Sequence, residues 1–302
     1  MIRHVRHHSI DKAHWDGAVR ASVNGSWYAN SYVLDRMSPG WEALMDDATG
    51  ALMPLTQRKK YGIPYLFQPF ALQQLGIFSS GPIDAGMTEA FLRAVPPTFR
   101  LVQIAGNHAM ARTDVPGWSY TTRTNCTLDL SGGMERVRSG YTKNTARNLA
   151  KSNSIHCEAM LPDEFSEFYA TTTLERFPDQ DVRGAAALGA LLSDAVSRNE
   201  AEILGMRDEQ GNWCGALALI HGQGRSILLK SGATDKGREL NVMFHLVDRA
   251  LELSTARSHV FDFAGSDHPG TARFYEGFGA VPSAYFRLER NTLPFWAKLF
   301  KR

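Results

Sequence analysis

Two residues near the C-terminus have the types that proton-transfer chemistry needs. The stretch ARFYEGFGA carries Tyr275, which is either a catalytic hydroxyl or an aromatic ring on the inner face of the chain's last helix. In the strand-like stretch HVFDFAG, Asp262 alternates with Phe261 and Phe263, so its carboxylate lies on the opposite face of the strand from the two rings. Such a carboxylate can polarise an incoming amine. Tyr275 and Asp262 are therefore the candidate catalytic residues.

Three cations at helical spacing mark a second candidate surface. Lys143, Arg147 and Lys151 stand at i, i+4 and i+8, and Arg136 joins their face if the helix continues through Gly140. Such a stripe can follow an RNA backbone, with one phosphate neutralised by each cation. A solvated helix face is the alternative, because the formal net charge of the chain is only +2.

The loop AGSDHPG places Ser266, Asp267 and His268 side by side. Adjacent residues cannot generally arrange a nucleophile, a base and an orienting acid around one reacting atom. The sequence therefore predicts an N-cap for the following helix here, and not a catalytic triad.

Neither the histidines nor the cysteines have the spacing of a metal site. The cysteines, Cys126, Cys157 and Cys214, are odd in number and form no CxxC pair, which predicts no disulfide framework and fits a reducing compartment. The histidines near the N-terminus lack accompanying carboxylate or cysteine spacing, and we expect them at the surface: His4, His7, His8 and His14. No metal is predicted.

Composition limits the class of protein. With 43% hydrophobic and 21% charged residues the chain is typical of soluble globular proteins, and 302 residues suit about two domains. A net charge of +2 does not by itself indicate nucleic-acid binding. The N-terminus has no apolar core of a signal peptide, and no run approaches the roughly 20 residues of a membrane span. We therefore expect a cytoplasmic location.

The elements that must position these residues alternate between helix and strand. The pattern predicts an α/β (α+β) protein with two similar halves, residues 1–135 and 136–302. The second half contains the longest amphipathic helix, whose predicted apolar stripe is Leu240, Met243, Phe244, Val247, Ala250 and Leu251.

Strand, turn, long helix, buried strand, short helix with ARFYEGFGA and closing strand resemble the back half of the GNAT acyltransferase fold. The short helix in many GNAT enzymes carries A-x-x-F-Y-x-x-x-G-F; here Ala272 stands closer to the Phe-Tyr pair, and Phe278-Gly279 reverses the usual order. In the first half, WDGAVRASVNGSWYANSYVLD, SSGPID with Gly81-Pro82, and the helix YTKNTARNLAKS are similar to segments of the FemABX-like group. That group carries two GNAT-like domains in tandem, each a mixed, mostly antiparallel sheet flanked by helices.

The resemblance implies an acyl or aminoacyl transferase that acts on an amine, with a cell-envelope precursor as one acceptor. Tyr275 matches the tyrosine that protonates the departing thiolate in many GNAT enzymes, Asp262 would serve as base, and backbone N–H groups of the fourth strand would polarise the carbonyl. The implied donor-binding residues are Lys230, Ser231, Lys236, Gly237, Arg238 and Asn241.

The expected donor depends on the turn before the long helix. GNAT enzymes that bind CoA hold its pyrophosphate with a Q/R-x-x-G-x-G/A loop, whose bare N–H groups favour an anion. The matching positions here run from Lys236 to Asn241, and Glu239 adds a carboxylate that would repel a pyrophosphate. The loop therefore argues against ordinary CoA binding but not against FemABX-like chemistry, so the expected co-substrate is acyl-CoA or aminoacyl-tRNA, with no tightly bound cofactor. Lys236 and Arg238 can still contact a phosphate.

Two alternatives stay open: an acyl-CoA N-acyltransferase with a diverged loop, and a non-catalytic binding protein that retains the fold. The expected partners are a small-molecule or lipid-linked amine acceptor and tRNA, and no oligomeric state is predicted. The tail NTLPFWAKLFKR is amphipathic and basic; it predicts either a peripheral membrane contact or docking on the protein's own body.

Overall fold

The computed structural model describes residues 1–151, 156–173, 182–265 and 267–294. Two compact units are present: Met1–Arg123 together with the described residues from Ala284 onward, and Thr124–Ser283. The chain leaves the first unit within strand β7 (Trp118–Asp129) and returns to it within β13 (Val281–Asn291). These bounds differ from the predicted division at residue 135. The chain enters the second unit at Thr124, within β7, and its last strand, β13, begins in the second unit and ends in the first.

The first unit contains two sheets. One is antiparallel with the order β1-β2-β3, and the other has the order β4-β5-β6-β13. The helices and strands of this unit are β1 (Ile2–Val5), α1 (Lys12–Ala21), α2 (Ser31–Met37), β2 (Glu42–Asp46), β3 (Leu52–Leu55), β4 (Gln57–Lys60), β5 (Ile63–Leu66), α3 (Ala85–Ala94) and β6 (Leu101–Ala105).

Local signals in the sequence fix where several of these elements begin and turn. Helix α1 begins after Asp11, whose carboxylate accepts a hydrogen bond from the His14 N–H at 3.0 Å. The β4–β5 hairpin turns at Tyr61 and Gly62, which both have positive φ.

Strand β5 runs parallel to β6 over only two residue pairs, and then the two strands part. The side chain of Gln68 spans the space between them, since its Oε1 accepts a hydrogen bond from the Ala105 N–H at 2.7 Å. The first unit therefore closes the space between its parallel strands with one of its own side chains.

The second unit has one sheet, with the order β7-β12-β11-β10-β9-β8. Its helices and strands after β7 are α4 (Gly133–Ser139), α5 (Lys143–Ala150), β8 (Cys157–Ala159), α6 (Pro162–Thr172), α7 (Val182–Ala186), α8 (Leu188–Ser197), β9 (Ala201–Arg207), β10 (Trp213–Gly222), β11 (Arg225–Ala233), α9 (Asp235–Glu239), α10 (Val242–Thr255), β12 (Val260–Asp262) and α11 (Pro269–Glu276). The predicted mixed α/β class is confirmed.

The long helix starts later than its apolar stripe predicts. Asn241 adopts a left-handed conformation with φ of 57°, so Leu240 precedes α10 instead of belonging to it. Val242 and Leu246 are buried on α10 together with Val247. No helix among the described residues is long and apolar enough to cross a membrane.

Helix α9 packs closely on strand β10 at Gly237. A Cβ built on Gly237 would lie 1.9 Å from the carbonyl oxygen of Cys214 on β10. The Thr234 hydroxyl accepts a hydrogen bond from the Gly237 N–H at 3.0 Å and so begins the helix. Gly237 therefore lets the turn between β11 and α10 pack directly on β10.

We expect Gly237→Ala to lower the free energy of unfolding by about 1–3 kcal/mol or more, because the added methyl group displaces backbone. The matched control is Gly17→Ala within α1, where an added Cβ meets nothing within 4 Å; we expect it to raise that free energy by about 0.5–1 kcal/mol. Urea unfolding of both variants measures the difference, and a neutral Gly237→Ala would contradict the packing role.

Candidate functional site

The second unit contains a pair of parallel strands that separate. Strand β11 pairs with β12 from Arg225 to Ile227, opposite Val260 to Asp262. After Asp262 the chain follows β7, and the Phe263 N–H donates a hydrogen bond to the Cys126 carbonyl at 2.9 Å. Strand β11 continues to Ala233, and within the described part of the chain those later residues pair only with β10. A gap therefore opens in the sheet beside the second half of β11.

A β-bulge lies at the start of this gap. Lys230 is opposite Ala218 and Leu228 is opposite Leu219, so Leu229 is an extra residue in β11. Bulges bend a strand and redirect its side chains, and they are common next to active sites. Here the bulge immediately precedes Lys230 and Ser231, two of the predicted donor-binding residues.

Lys230 is half-buried and lies beside an aromatic ring. Its Nζ is 6.0 Å from the centre of the Tyr169 ring, which α6 contributes. Burial lowers the pKa of Lys230 to about 8, because the ammonium loses water that the neutral amine needs less. At pH 7 this pKa leaves a minor fraction of the amine deprotonated, and only that fraction can accept a proton.

Tyr275 lies in the same region of the second unit. Helix α11 buries it to 7% exposure, with its ring centre 4.5 Å from that of Phe263. Burial raises the pKa of Tyr275 well above its ordinary value, and Cys126 and Tyr169 add to the rise. Its hydroxyl has no hydrogen-bond partner among the residues that the structure describes, and it stays protonated at neutral pH.

Tyr169 links these two candidates, since it lies beside Lys230 and within electrostatic reach of Tyr275. Burial raises its own pKa to about 12. The sequence places Tyr169 on the apolar face of a helix and indicates no function for it, because helical periodicity shows which residues share a face but not which strand they meet.

Asp262 lies where β11 and β12 still pair. Its carboxylate accepts hydrogen bonds from the Arg225 guanidinium at 2.8 Å and from the Ala264 N–H at 2.9 Å, and it is 3% exposed. These contacts support a role in holding the two strands together. The role of Asp262 as a base stays a prediction.

The predicted donor loop is a capped turn with its own partners. Lys236 forms an ion pair with Glu239 at 3.6 Å, and Arg238 donates to the Ala233 carbonyl at 2.6 Å and pairs with Asp235. Gly237 is buried against β10, and Asn241 has the left-handed backbone that starts α10. The segment that matches the pyrophosphate-binding loop of GNAT enzymes thus forms helix α9.

The basic stripe is shorter than the four cations that a continuous helix would carry. Helix α4 ends before Gly140, and α5 begins after the N-cap residue Thr142. Arg136 therefore lies on α4 and not on the helix of the other three cations. Lys143, Arg147 and Lys151 are exposed, and no described acidic residue forms an ion pair with them. Their role in binding phosphate or RNA stays a prediction.

The remaining candidates have structural partners. The Asp267 carboxylate accepts a hydrogen bond from the Thr124 N–H at 3.1 Å, and His268 occupies the N-cap position of α11; Ser266 lies outside the described residues. His4 contacts Glu42 at 2.6 Å. Over the described ranges of the chain, no group of three or more His, Cys, Asp or Glu side chains is arranged to hold a metal ion.

No family model matches the sequence, and no curated protein matches it. Solved structures do match the fold. FemX superposes with a TM-score of 0.68 at 11% identity, over 97% of this chain and 99% of its own. A tandem GNAT protein from the clavulanic acid biosynthesis pathway gives 0.59 at 14% identity, over 97% and 99%. The C-terminal domain of a putative lysylphosphatidylglycerol synthetase from Agrobacterium fabrum gives 0.52 at 11%, over 96% and 94%.

At these identities the likeness concerns the fold. It confirms, at the level of the fold, the resemblance that the sequence motifs predict. The chain therefore has a GNAT fold of the FemABX-like, tandem kind.

Proposed function

We propose that this protein transfers an acyl or aminoacyl group from an activated ester or thioester to an amine. The observation that carries the proposal is the separation of β11 from β12 beyond Ile227, directly before the bulge and Lys230. A carbonyl inserted there would meet strand backbone that has no second strand beside it. Backbone N–H groups of that kind stabilise the oxyanion of acyl transfer.

The proposed reaction is a direct displacement at the carbonyl carbon. The neutral amine attacks, a C–N bond forms, and the C–O or C–S bond to the donor breaks. In place of Asp262, we assign to Lys230 the proton that the attacking amine loses, since a pKa of about 8 lets a fraction of Lys230 be neutral before the reaction. Tyr275 gives its proton to the leaving oxygen or sulfur, which fits a phenol that burial keeps protonated.

Aminoacyl-tRNA is the donor that the described turn supports better than acyl-CoA. Helix α9 fills the segment before α10, and the exposed Glu239 adds negative charge there. The exposed cations of α5 and its C-cap, Lys143, Arg147 and Lys151, lie in the same unit and suit an RNA backbone. The acceptor we propose is an amine on a small molecule or a lipid-linked envelope precursor.

A non-catalytic binding protein is the second candidate. The filled turn at α9 favours it, because a protein that no longer takes a donor has no need of a phosphate-binding loop. The two candidates differ in turnover: the transferase has a turnover that depends on the Tyr275 hydroxyl, and the binding protein has none.

The first experiment is a thermal-shift titration with acetyl-CoA, longer acyl-CoAs and free CoA. We expect no saturable shift; a ligand at 100 times its dissociation constant would stabilise the native state by about 2.7 kcal/mol. The companion assay follows transfer of a labelled aminoacyl group from charged tRNA to amine acceptors. A saturable CoA shift would reassign the protein to the acyl-CoA enzymes, and transfer from tRNA would exclude the non-catalytic candidate.

Tyr275→Phe separates chemistry from packing. We expect turnover to fall about a hundredfold or more, because a general acid contributes roughly 10²–10⁴-fold. The melting temperature should stay unchanged, since the ring remains against Phe263 and the hydroxyl has no hydrogen-bond partner among the described residues. Full activity in Tyr275→Phe would assign the residue to the core.

Lys230 makes the stability of the protein depend on pH. The folded protein releases this proton near pH 8 and the unfolded chain near the ordinary value of 10.5. Between these values the folded state binds fewer protons, so the contribution of Lys230 to the free energy of unfolding rises with pH.

We therefore expect Lys230→Met to be more stable than the wild-type protein below pH 8 and to lose this advantage progressively toward pH 10.5. Urea unfolding of both proteins across the range cancels the titrations that they share. A difference that does not vary with pH would show that Lys230 keeps an ordinary pKa, and the proposed base would be excluded.

A further inference from the structure

Three features of the first unit meet at the N-terminal end of β6. The β4–β5 hairpin projects there, because Tyr65 pairs with Leu101, the first residue of β6, and the turn lies upstream of Tyr65. Ile63 extends about 7 Å beyond Leu101 at the usual strand rise of about 3.3 Å per residue. Arg100 precedes β6 at the same end and is exposed.

The described chain also leaves the sheet at this end. Asn291 of β13 pairs with Leu101, and the Thr292 N–H donates a hydrogen bond to the Arg100 carbonyl at 2.7 Å. Adjacent strands are about 4.8 Å apart, so Pro294 departs within roughly two strand spacings of the hairpin. The sequence that follows lies outside the described residues; it carries Phe295, Trp296, Leu299 and Phe300 with Lys298, Lys301 and Arg302.

The hairpin is strongly and uniformly basic. Arg58, Lys59 and Lys60 are consecutive, and the sequence contains no acidic residue between Asp47 and Asp84. Lys59 and Lys60 are exposed and form no ion pair with any residue that the structure describes. Lys59 and Lys60 therefore make the field at the hairpin tip positive.

The tip presents an aromatic ring in an unfavourable backbone conformation. Tyr61 has φ of 51° and precedes Gly62 with φ of 77°, a pair of positive values that asparagine and glycine adopt far more readily than tyrosine. The ring is 82% exposed, with the Lys60 ammonium 5.8 Å from its centre. Packing in the folded chain does not explain this ring.

Protection of an edge strand accounts for only part of this arrangement. Strand β4 is the terminal strand of its sheet, and lysines on such strands prevent edge-to-edge association. That function needs no exposed aromatic residue at the turn. A tyrosine beside lysines is instead the combination found at membrane interfaces, where the ring enters the headgroup region and the cations meet anionic lipids.

We propose that this end of the first unit docks on an anionic lipid surface, with Tyr61, Lys59, Lys60 and Arg100 as the contact residues. The shape of the feature supports a bilayer over RNA, because single strands bind in grooves that follow their backbone whereas a projecting turn fits a flat surface. Pro294, the last described residue, follows β13 at this end, and the sequence after it is amphipathic and basic. This inference does not depend on the proposed transferase activity.

The test is co-sedimentation of the full-length protein with vesicles of phosphatidylcholine alone and of phosphatidylcholine with phosphatidylglycerol. We expect binding to the anionic vesicles only, and weaker binding as salt is added. Lys59→Gln/Lys60→Gln should lower the partition coefficient about thirtyfold, since each cation near an anionic surface contributes roughly five- to sixfold.

Two further variants keep the result interpretable. Tyr61→Asn should weaken vesicle binding while leaving the melting temperature equal or higher, because asparagine accepts the left-handed conformation. Arg6→Gln/Arg20→Gln removes the same charge from exposed positions elsewhere in this unit and should leave vesicle binding nearly unchanged.

Three outcomes would overturn the proposal. The first is no preference for anionic vesicles. The second is an equal loss in Arg6→Gln/Arg20→Gln and Lys59→Gln/Lys60→Gln, which would mean that total charge and not the hairpin drives binding. The third is a hairpin variant that loses binding to a mixed tRNA preparation and retains vesicle binding, which would assign the surface to nucleic acid.

Discussion

The candidate site depends on the point where β12 leaves β11. Two contacts set this point: the Asp262 carboxylate joins the strands through the Arg225 guanidinium, and the Phe263 N–H then turns to the Cys126 carbonyl on β7. A carboxylate that is 3% exposed and bound by a guanidinium and a backbone N–H is a firm anchor, because either partner's loss would leave a buried charge unsatisfied. The gap beside the rest of β11 follows from this switch of partners.

In the first unit a side chain bridges the comparable gap. Its parallel pair, β5 and β6, also separates after a few residues, and there the Gln68 side chain bonds across to the Ala105 N–H. In the second unit the bulge at Leu229 and the ionisable side chain of Lys230 occupy the corresponding stage of the strand. The same sheet geometry is therefore sealed by an amide in one unit and lined by reactive groups in the other.

Burial determines what those reactive groups can do. Desolvation disfavours charge on both Lys230 and Tyr275, so it lowers the pKa of the amine and raises the pKa of the phenol. One apolar environment thus yields a group able to take a proton and a group able to give one. The cationic helix α5 and the basic hairpin of the first unit, by contrast, keep their charges in water, where a field reaches farther than a hydrogen bond does.

Much of the local structure and the fold family is determined by the sequence alone. The order of elements around ARFYEGFGA is found where the sequence predicts it, and the Asp11 cap and the Tyr61-Gly62 turn are set by equally short-range signals. Strand β7 (Trp118–Asp129) is missed, because most of its residues are polar and their burial shows no steady alternation. The break at Gly140 and the left-handed Asn241 alter predicted helices for equally local reasons. What only the tertiary structure decided is which side chains share an environment: the meeting of Tyr169 with Lys230, the partners of Asp262, and the convergence of the hairpin and β13 at one end of β6. These depend on strand pairing between distant segments, and no periodicity along the chain encodes the desolvation that results from it.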